Sequence, residues 1–328
     1  MEKKHRILSG MRPTGKLHLG NYVGALENWI RLQKEYDSFH MVADWHMLTT
    51  DLKHTAEIAN NSIEVVIDWL SAGLDPEKSP LFIQSHIKEH AELHLIFSML
   101  ITVPRLQRNP TVKEQARDLG LENIMSYGHL GYPVLQAADI LVYKADAVPV
   151  GEDQAPHVEI TREIARRFNN LYREVFPEPK TLLTKSSRLP GLDGRKMSKS
   201  LKNAVFLSDS PEEIEKKVMT AYTDPNKIKL TDPGNPDGCV VFAYHKNFSP
   251  QGVGQIHADC RMGKLGCVAH KKQVAKMIGE KLSPFREKRA YYESHRSKVA
   301  EIIEEGDRKA REVAQATMAD VREAMQMG

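Results

Sequence analysis

Cysteine is scarce in this chain, three residues in 328, and an odd count of three argues against a disulfide framework. Long apolar runs are absent too. No stretch reaches the roughly 18 consecutive apolar residues of a membrane-spanning helix. The opening residues, MEKKHRILSG, are basic but hold no apolar signal core, so a cytoplasmic location is expected. Charge of one sign is also lacking. Lysine and arginine number 46 against 43 aspartates and glutamates, a net +3 that by itself predicts no nucleic-acid binding. Any such binding would need local basic patches. Neither an internal repeat nor a low-complexity segment is evident. The remaining composition, 41% hydrophobic and 27% charged, is ordinary for a globular chain, with length for about two domains.

The stretch richest in chemistry is Ser9 to Asn21, SGMRPTGKLHLGN. It follows an apolar pair, Ile7 and Leu8, and precedes an amphipathic segment, Tyr22 to Leu32. It therefore reads as the turn between a first strand and a first helix. Glycines at 10, 15 and 20 allow close backbone approach, and amides at a helix start hold anions. Arg12, Lys16 and His18 add donors, so the turn reads as a nucleotide-phosphate site. Gly10 to Lys16 has the P-loop spacing G-x-x-x-x-G-K, but Leu17 stands where the Mg²⁺-binding Ser or Thr belongs. The following His-Leu-Gly-Asn offers a second reading, a HIGH-type motif.

Further along, residues 38–44 and 81–84 read as strands and 55–72 as a helix stopped at Gly73. Alternation of strands and helices predicts a parallel sheet covered on both faces. The helix over about 87–101 carries His86, His90 and His94 at i, i+4, i+8. These read either as a metal set or as a polar face, since Glu89 and Glu92 interleave. Residues 104–118 are basic, either a solvated segment or an arm bringing Lys113 to phosphates. The apolar run 127–144 contains Asp139, costly to bury unless paired. It is either an Asp satisfied by backbone or water, or a carboxylate facing a ligand donor. Residues 148–150 read as a strand. Gly151, Glu152, Asp153 and Gln154 then sit at a strand end and helix start, where α/β sheets take ligands. At 191–200 the chain reads GLDGRKMSKS, a glycine-bounded loop with Lys196 and Lys199 flanking Met197 and Ser198. Beyond 205 helical patterns dominate, apart from a strand-like stretch starting at Cys239. Lys271, Lys272, Lys276, Lys281, Arg286, Lys288 and Arg289 give this part a cationic side.

Taken together, PTGKLHLGN, QAADIL, VGEDQAPHVEITREIARRFN and KMSKS resemble the bacterial tryptophanyl-tRNA synthetases, essentially end to end. The resemblance implies an α/β architecture: a Rossmann-like parallel-sheet catalytic domain over 1–204 and an all-helical anticodon-binding domain over 205–328. It implies ATP, as a complex with Mg²⁺, L-tryptophan and tRNA(Trp) as partners, a homodimer, and no membrane. His18, Gly20 and Asn21 would face ATP, with Arg12, Pro13 and Thr14 beside its α-phosphate; the family more often has Gln at position 12. Lys196 and Lys199, within Lys196–Met197–Ser198–Lys199–Ser200, would hold the leaving pyrophosphate, with Lys113 as a third cation. Gly151, Glu152 and Asp153 would hold the ribose, and Leu189 would lie near the adenine. Asp139 matches the acceptor of the indole N–H, in an apolar pocket where the carboxylate is otherwise unpaired. Tyr132 and Gln154 would take the substrate's amino group, with His46 and Gln136 nearby.

Cys239, Cys260, Cys267 and His270 read C-x₂₀-C-x₆-C-x₂-H. Some members of the family hold a [4Fe–4S] cluster here with four cysteines. Three readings stand: a cluster, a Cys₃His Zn²⁺ site, or three free thiols. The functional alternatives are a tyrosyl-tRNA synthetase, which shares the motifs, a nucleotide-binding module without aminoacylation, and a synthetase paralogue turned to binding or regulation.

Overall fold

The computed structural model describes residues 4–121, 123–151, 154–183 and 189–327. Five strands form one sheet: β1 (Arg6–Met11), β2 (Asp37–Val42), β3 (Leu81–Ile83), β4 (Ala147–Val150) and β5 (Lys180–Leu183). Their order is β3-β2-β1-β4-β5, and every pairing is parallel. β1 pairs with β2 from Arg6↔Asp37 to Met11↔Val42. The chain leaves β1 for β2 on one side and returns to β4 on the other. The topological switch point therefore lies between β1 and β4, where open α/β sheets bind ligands. Arg12 and Gly151 follow those two strands directly. β5, a short edge strand reading KTLL, is an element that apolar patterning does not single out.

Alternation within β1 explains the layering. Leu8 points into the larger core with Phe39, Met41, Phe82, Val134, Leu141, Tyr143 and Ile164. Ile7 points the other way, against Leu32 and Ala147. Burying each such aliphatic side chain contributes about 1.5–3 kcal/mol. The last helix, Arg296–Ala324, adds Ala310, Ala314, Met318 and Val321 to the larger core. Its close approach to β3 has a local cause. A Cβ on Gly306 would lie 2.0 Å from the Leu81 carbonyl oxygen, so only glycine fits. Next to it, buried Asp307 accepts from the Ile83 N–H at 3.0 Å and pairs with His86 Nδ1 at 2.5 Å.

Two compact units result. One comprises Met1–Gly15, Trp29–Lys185 and His295–Gly328, the other Lys16–Asn28 and Ser186–Ser294. Two physical features underlie these units. The C-terminal helix is bound to the sheet through Gly306 and Asp307. The Lys16–Asn28 segment is tied to residues beyond 204, with Leu19 N–H donating to Val205 O and Leu207 N–H to Leu17 O, both at 2.9 Å. The second unit is otherwise helical: Pro211–Met219, Val240–Phe248, Val253–Arg261, Cys267–Lys281 and Ser283–Ser294. The strand-like stretch from Cys239 is the start of one of these helices. Its Val240, Val241, Phe242, Tyr244 and Phe248 are buried on a helical surface, which imitates a strand over five residues. Among the described residues no helix is long and apolar enough to cross a membrane.

Candidate active site

The second unit brings the His-Leu-Gly-Asn turn and the Lys-Met-Ser-Lys loop together. His18 caps a helical turn over Leu19–Asn21, and the cap is reciprocal. Its Nδ1 accepts from the Asn21 N–H at 3.2 Å, while Asn21 Oδ1 accepts from the His18 N–H at 3.1 Å. Because Nδ1 accepts, the ring proton sits on Nε2, leaving that nitrogen a donor. Burial, and then the charge of Lys199, push the His18 pKa down to about 4. At neutral pH the ring is an uncharged donor. Gly20 donates its N–H to Met197 Sδ at 3.3 Å, which seats the turn on the loop. A Cβ on Gly20 would meet the His18 ring at 3.1 Å, so the glycine makes room for the imidazole. Leu17 is wholly buried, and its carbonyl is bonded to Leu207. It is therefore an apolar anchor, and the P-loop reading of Gly10–Lys16 fails.

The loop has its own organiser, a residue that motif reading does not identify. Buried Asn203 accepts from Ser198 N–H at 2.8 Å and donates to Asp193 Oδ1 at 2.7 Å and Lys196 O at 3.1 Å. Ser198 and Ser200 hydroxyls are 2.8 Å apart. Met197 is buried, Lys199 half-buried and Lys196 exposed, so the cations lie outward of an apolar pin. Leu189 is buried.

In the first unit, Asp139 sits on the helix Tyr127–Val142 and is 2% exposed. The carboxylate is not unpaired, contrary to the sequence expectation. Oδ1 accepts from Gln84 Nε2 and His90 Nδ1, and Oδ2 from His46 Nε2, each at 2.7 Å. Burial alone would raise its pKa. The bonds from His46 and His90 outweigh that and hold it below the ordinary carboxylate value. Gln84 and His90 are additions to the expected site. His86, His90 and His94 form no metal set: His86 turns to Asp307, and His90 to Asp139 and Tyr143. Tyr132 is buried on the same helix as Asp139. Its hydroxyl lies 2.8 Å from Nε2 of His157, whose Nδ1 is 3.3 Å from Asn109 Nδ2. Burial raises the Tyr132 pKa, keeping the hydroxyl neutral.

Other expected residues fall as follows. Arg12 is exposed and donates to Thr50 Oγ1 at 3.2 Å; Pro13 is buried, and the Thr14 N–H donates to Arg12 O at 2.8 Å. Lys113 is exposed on the helix Pro110–Asp118, which Asn109 caps through the Thr111 N–H. Gly151 accepts from the Gln154 N–H at 3.0 Å, and Gln154 heads the helix Ala155–Leu171. Gln136 is half-buried one turn before Asp139. Glu152 and Asp153 lie outside the described residues.

The cysteine set does not fit a metal or cluster. Among the described residues no group of three or more His, Cys, Asp or Glu could hold an ion. The expected fourth ligand is engaged elsewhere: His270 Nε2 lies 3.1 Å from His245 Nδ1, and burial with that neighbour pushes its pKa down to about 4. Cys239, Cys260 and Cys267 are free, partly buried thiols, and burial raises the first two above the ordinary thiol value.

Comparison with known proteins gives a consistent picture. The family model for class I tRNA synthetases (W and Y) matches residues 1–283. A tryptophan–tRNA ligase of Aquifex aeolicus is 47% identical over 98% of this chain and 100% of its own length. One from Thermotoga maritima is 50% identical, covering 98% of this chain and 99% of its own. Among solved structures, the tryptophanyl-tRNA synthetase of Campylobacter jejuni complexed with ADP and tryptophan superposes with a TM-score of 0.86 at 33% identity. That match covers 98% of this chain and 99% of the other.

Proposed function

This chain belongs to the class I tRNA synthetases, in their tryptophan-activating branch, and on that premise we propose how it activates L-tryptophan with ATP and transfers it to tRNA(Trp). The observation that carries the reading is the seating of the His18–Asn21 turn on the Lys196–Ser200 loop through Gly20 and Met197. The tryptophan carboxylate attacks the α-phosphate of ATP, supplied as its Mg²⁺ complex, and pyrophosphate leaves. The nucleophile is already ionised, so no general base is needed, and positioning and charge stabilisation carry the rate. His18 Nε2–H and the Gly20–Asn21 turn hold phosphate oxygens. Lys196 and Lys199 neutralise the departing pyrophosphate, with Lys113 as a third cation. Arg12 to Thr14 border the α-phosphate, Gly151 with Glu152 and Asp153 holds the ribose, and Leu189 meets the adenine. A terminal ribose hydroxyl of the tRNA then attacks the carbonyl carbon of the adenylate; the ester forms, the acyl–phosphate bond breaks, AMP leaves and the hydroxyl proton is released.

Asp139 is the acceptor for the indole N–H. Indole offers one donor and no acceptor, and a buried carboxylate with a lone pair left over complements it. Tyr132 and Gln154 take the amino group, with His46 and Gln136 beside the ring. Helices of the second unit bind the tRNA. The exposed members of their basic set, among them Lys272, Lys276, Lys281 and Lys288, support this role; Lys271 and Arg289 are buried and hold the fold through Met219 O and Glu293. The enzyme works in the cytoplasm as a homodimer, a reading supported by Leu95, Met99 and Val103, which are 59%, 75% and 50% exposed along one short stretch. ATP–pyrophosphate exchange tests the central claim. Tryptophan should drive exchange and tyrosine should not. Exchange with tyrosine would place the chain with the tyrosyl enzymes, and ATP binding without any exchange would make it a binding module.

A further inference from the structure

A carboxylate has about four lone-pair positions, and three of those on Asp139 are already taken. Gln84 Nε2 and His90 Nδ1 occupy Oδ1, and His46 Nε2 occupies one position on Oδ2. Each of the two groups on Oδ1 is itself held. Gln84 Oε1 accepts from the Trp45 N–H at 3.1 Å, which orients the amide with its nitrogen toward Asp139. His90 Nε2 lies 2.8 Å from the Tyr143 hydroxyl. Tyr143 is fully buried, stacked on Phe39 at 5.2 Å and edge-on to Phe82 at 5.3 Å. An ionised carboxylate only accepts, so His90 Nδ1 carries the proton directed at Asp139, while the Tyr143 hydroxyl meets the other ring nitrogen. His46 keeps some exposure, with 13% of its side chain accessible, whereas His90 has none.

We propose that His90, held by Tyr143, is a positioning residue of the tryptophan site: with Gln84 it clamps Oδ1 of Asp139 so that a single acceptor position on Oδ2 faces the indole N–H. This rests on the reading of Asp139 as the indole acceptor. A carboxylate free to rotate would offer its lone pairs in several directions and accept donors in several places. One clamped at Oδ1 and partly filled at Oδ2 has one vacancy in one direction. The clamp thereby turns a general acceptor into a directional one.

The test compares tryptophan with the analogue in which sulfur replaces the indole N–H, by ATP–pyrophosphate exchange in the intact enzyme. A hydrogen bond to a charged group corresponds to a preference for tryptophan of about 10- to 150-fold in kcat/KM. His90→Leu should cut that preference by about tenfold or more, through the KM for tryptophan, and leave the KM for ATP within about twofold. His90→Gln, which keeps an N–H donor, should restore most of it. Tyr143→Phe, which removes only the hydroxyl, should lower it by about threefold through a loosened ring, and it carries the test if His90→Leu does not fold. Asp139→Ala, which removes the acceptor, is the reference and should bring the preference close to unity. If Asp139→Ala abolishes the preference while His90→Leu or Tyr143→Phe leaves it intact, the role of His90 is overturned and that of Asp139 stands. If Asp139→Ala leaves the preference unchanged, the indole assignment fails and the proposal falls with it.

Discussion

His18 shows how a residue's neighbours decide its chemistry. A histidine beside phosphates is easily read as a cation, but here the capping bond to Asn21 fixes its tautomer and burial beside Lys199 removes its charge. The donor is then a neutral Nε2–H, available across the physiological range. The sign of the linkage follows. The folded pKa is depressed, so between about 6.5 and about 4 the unfolded chain binds a proton that the folded chain does not, and this site's contribution to stability falls as pH falls through that window. In a proton NMR titration the His18 ring signal should stay at its neutral position down to pH ~5.5 and shift only toward pH ~4. A midpoint near 6.5 would show that the ring is solvated and the assignment wrong. Asp139 makes the complementary case. Asp139→Ala should reduce tryptophan-dependent exchange by well over tenfold while the KM for ATP changes little. It also strands three donors, Gln84, His46 and His90, at about 1–3 kcal/mol for each that finds no water. A melting curve therefore belongs beside the kinetics. Unchanged exchange with tryptophan would sink the indole assignment.

At the scale of elements, the C-terminal helix is the most informative. Its apolar periodicity is plain from Ala310 to Ala324, but two residues that dock it carry no apolar signal: Gly306 gives close approach to β3, and Asp307 accepts the Ile83 N–H. Gly306→Ala should raise helix propensity by up to about 1 kcal/mol. Yet the added Cβ meets the Leu81 carbonyl, and overpacking of this kind costs about 1–3 kcal/mol. A net loss of thermal stability is the expected outcome; a stabilised variant would mean that the helix is not docked as described. The same pair of residues explains what was legible in the sequence. Strands β1 to β4, the helix ending at Gly73 and both signature motifs were legible because each rests on local pattern. β5 was not, since its pairing with β4 rather than its composition makes it a strand. Neither was the clamp of Gln84 and His90 on Asp139, nor that of Asn203 on Ser198, because side chains distant in sequence meet only once the sheet and loop exist. The Cys239 stretch was misread for the opposite reason, a buried helical face short enough to look like a strand. The cysteine spacing left a cluster, a zinc site and free thiols open, and among the described residues no group that could hold an ion forms there.

For the molecule as a whole, the division of labour cuts across chain order. Both signature motifs fall in one unit and Asp139, the proposed indole acceptor, in the other, and the last helix returns to the sheet. The first unit also carries Leu95, Met99 and Val103, large apolar side chains left open to water on a well-packed unit. Exposure of three such side chains within one short stretch supports the proposed dimer, in which they would be covered. A second copy of the chain is the occupant that the dimer reading supplies. Met99 is the most exposed of the three, so a charge placed there should leave the monomer fold within about 0.5 kcal/mol of its original stability. Buried against a partner, the same charge would be costly. Met99→Glu should therefore leave the melting behaviour of the dissociated chain unchanged and raise the dimer dissociation constant by tenfold or more, equivalent to about 1.4 kcal/mol. Sedimentation velocity across a concentration series reads this directly. A native chain that sediments as a monomer at tens of micromolar would overturn the dimer itself, while a dimer indifferent to Met99→Glu would place its interface on another face.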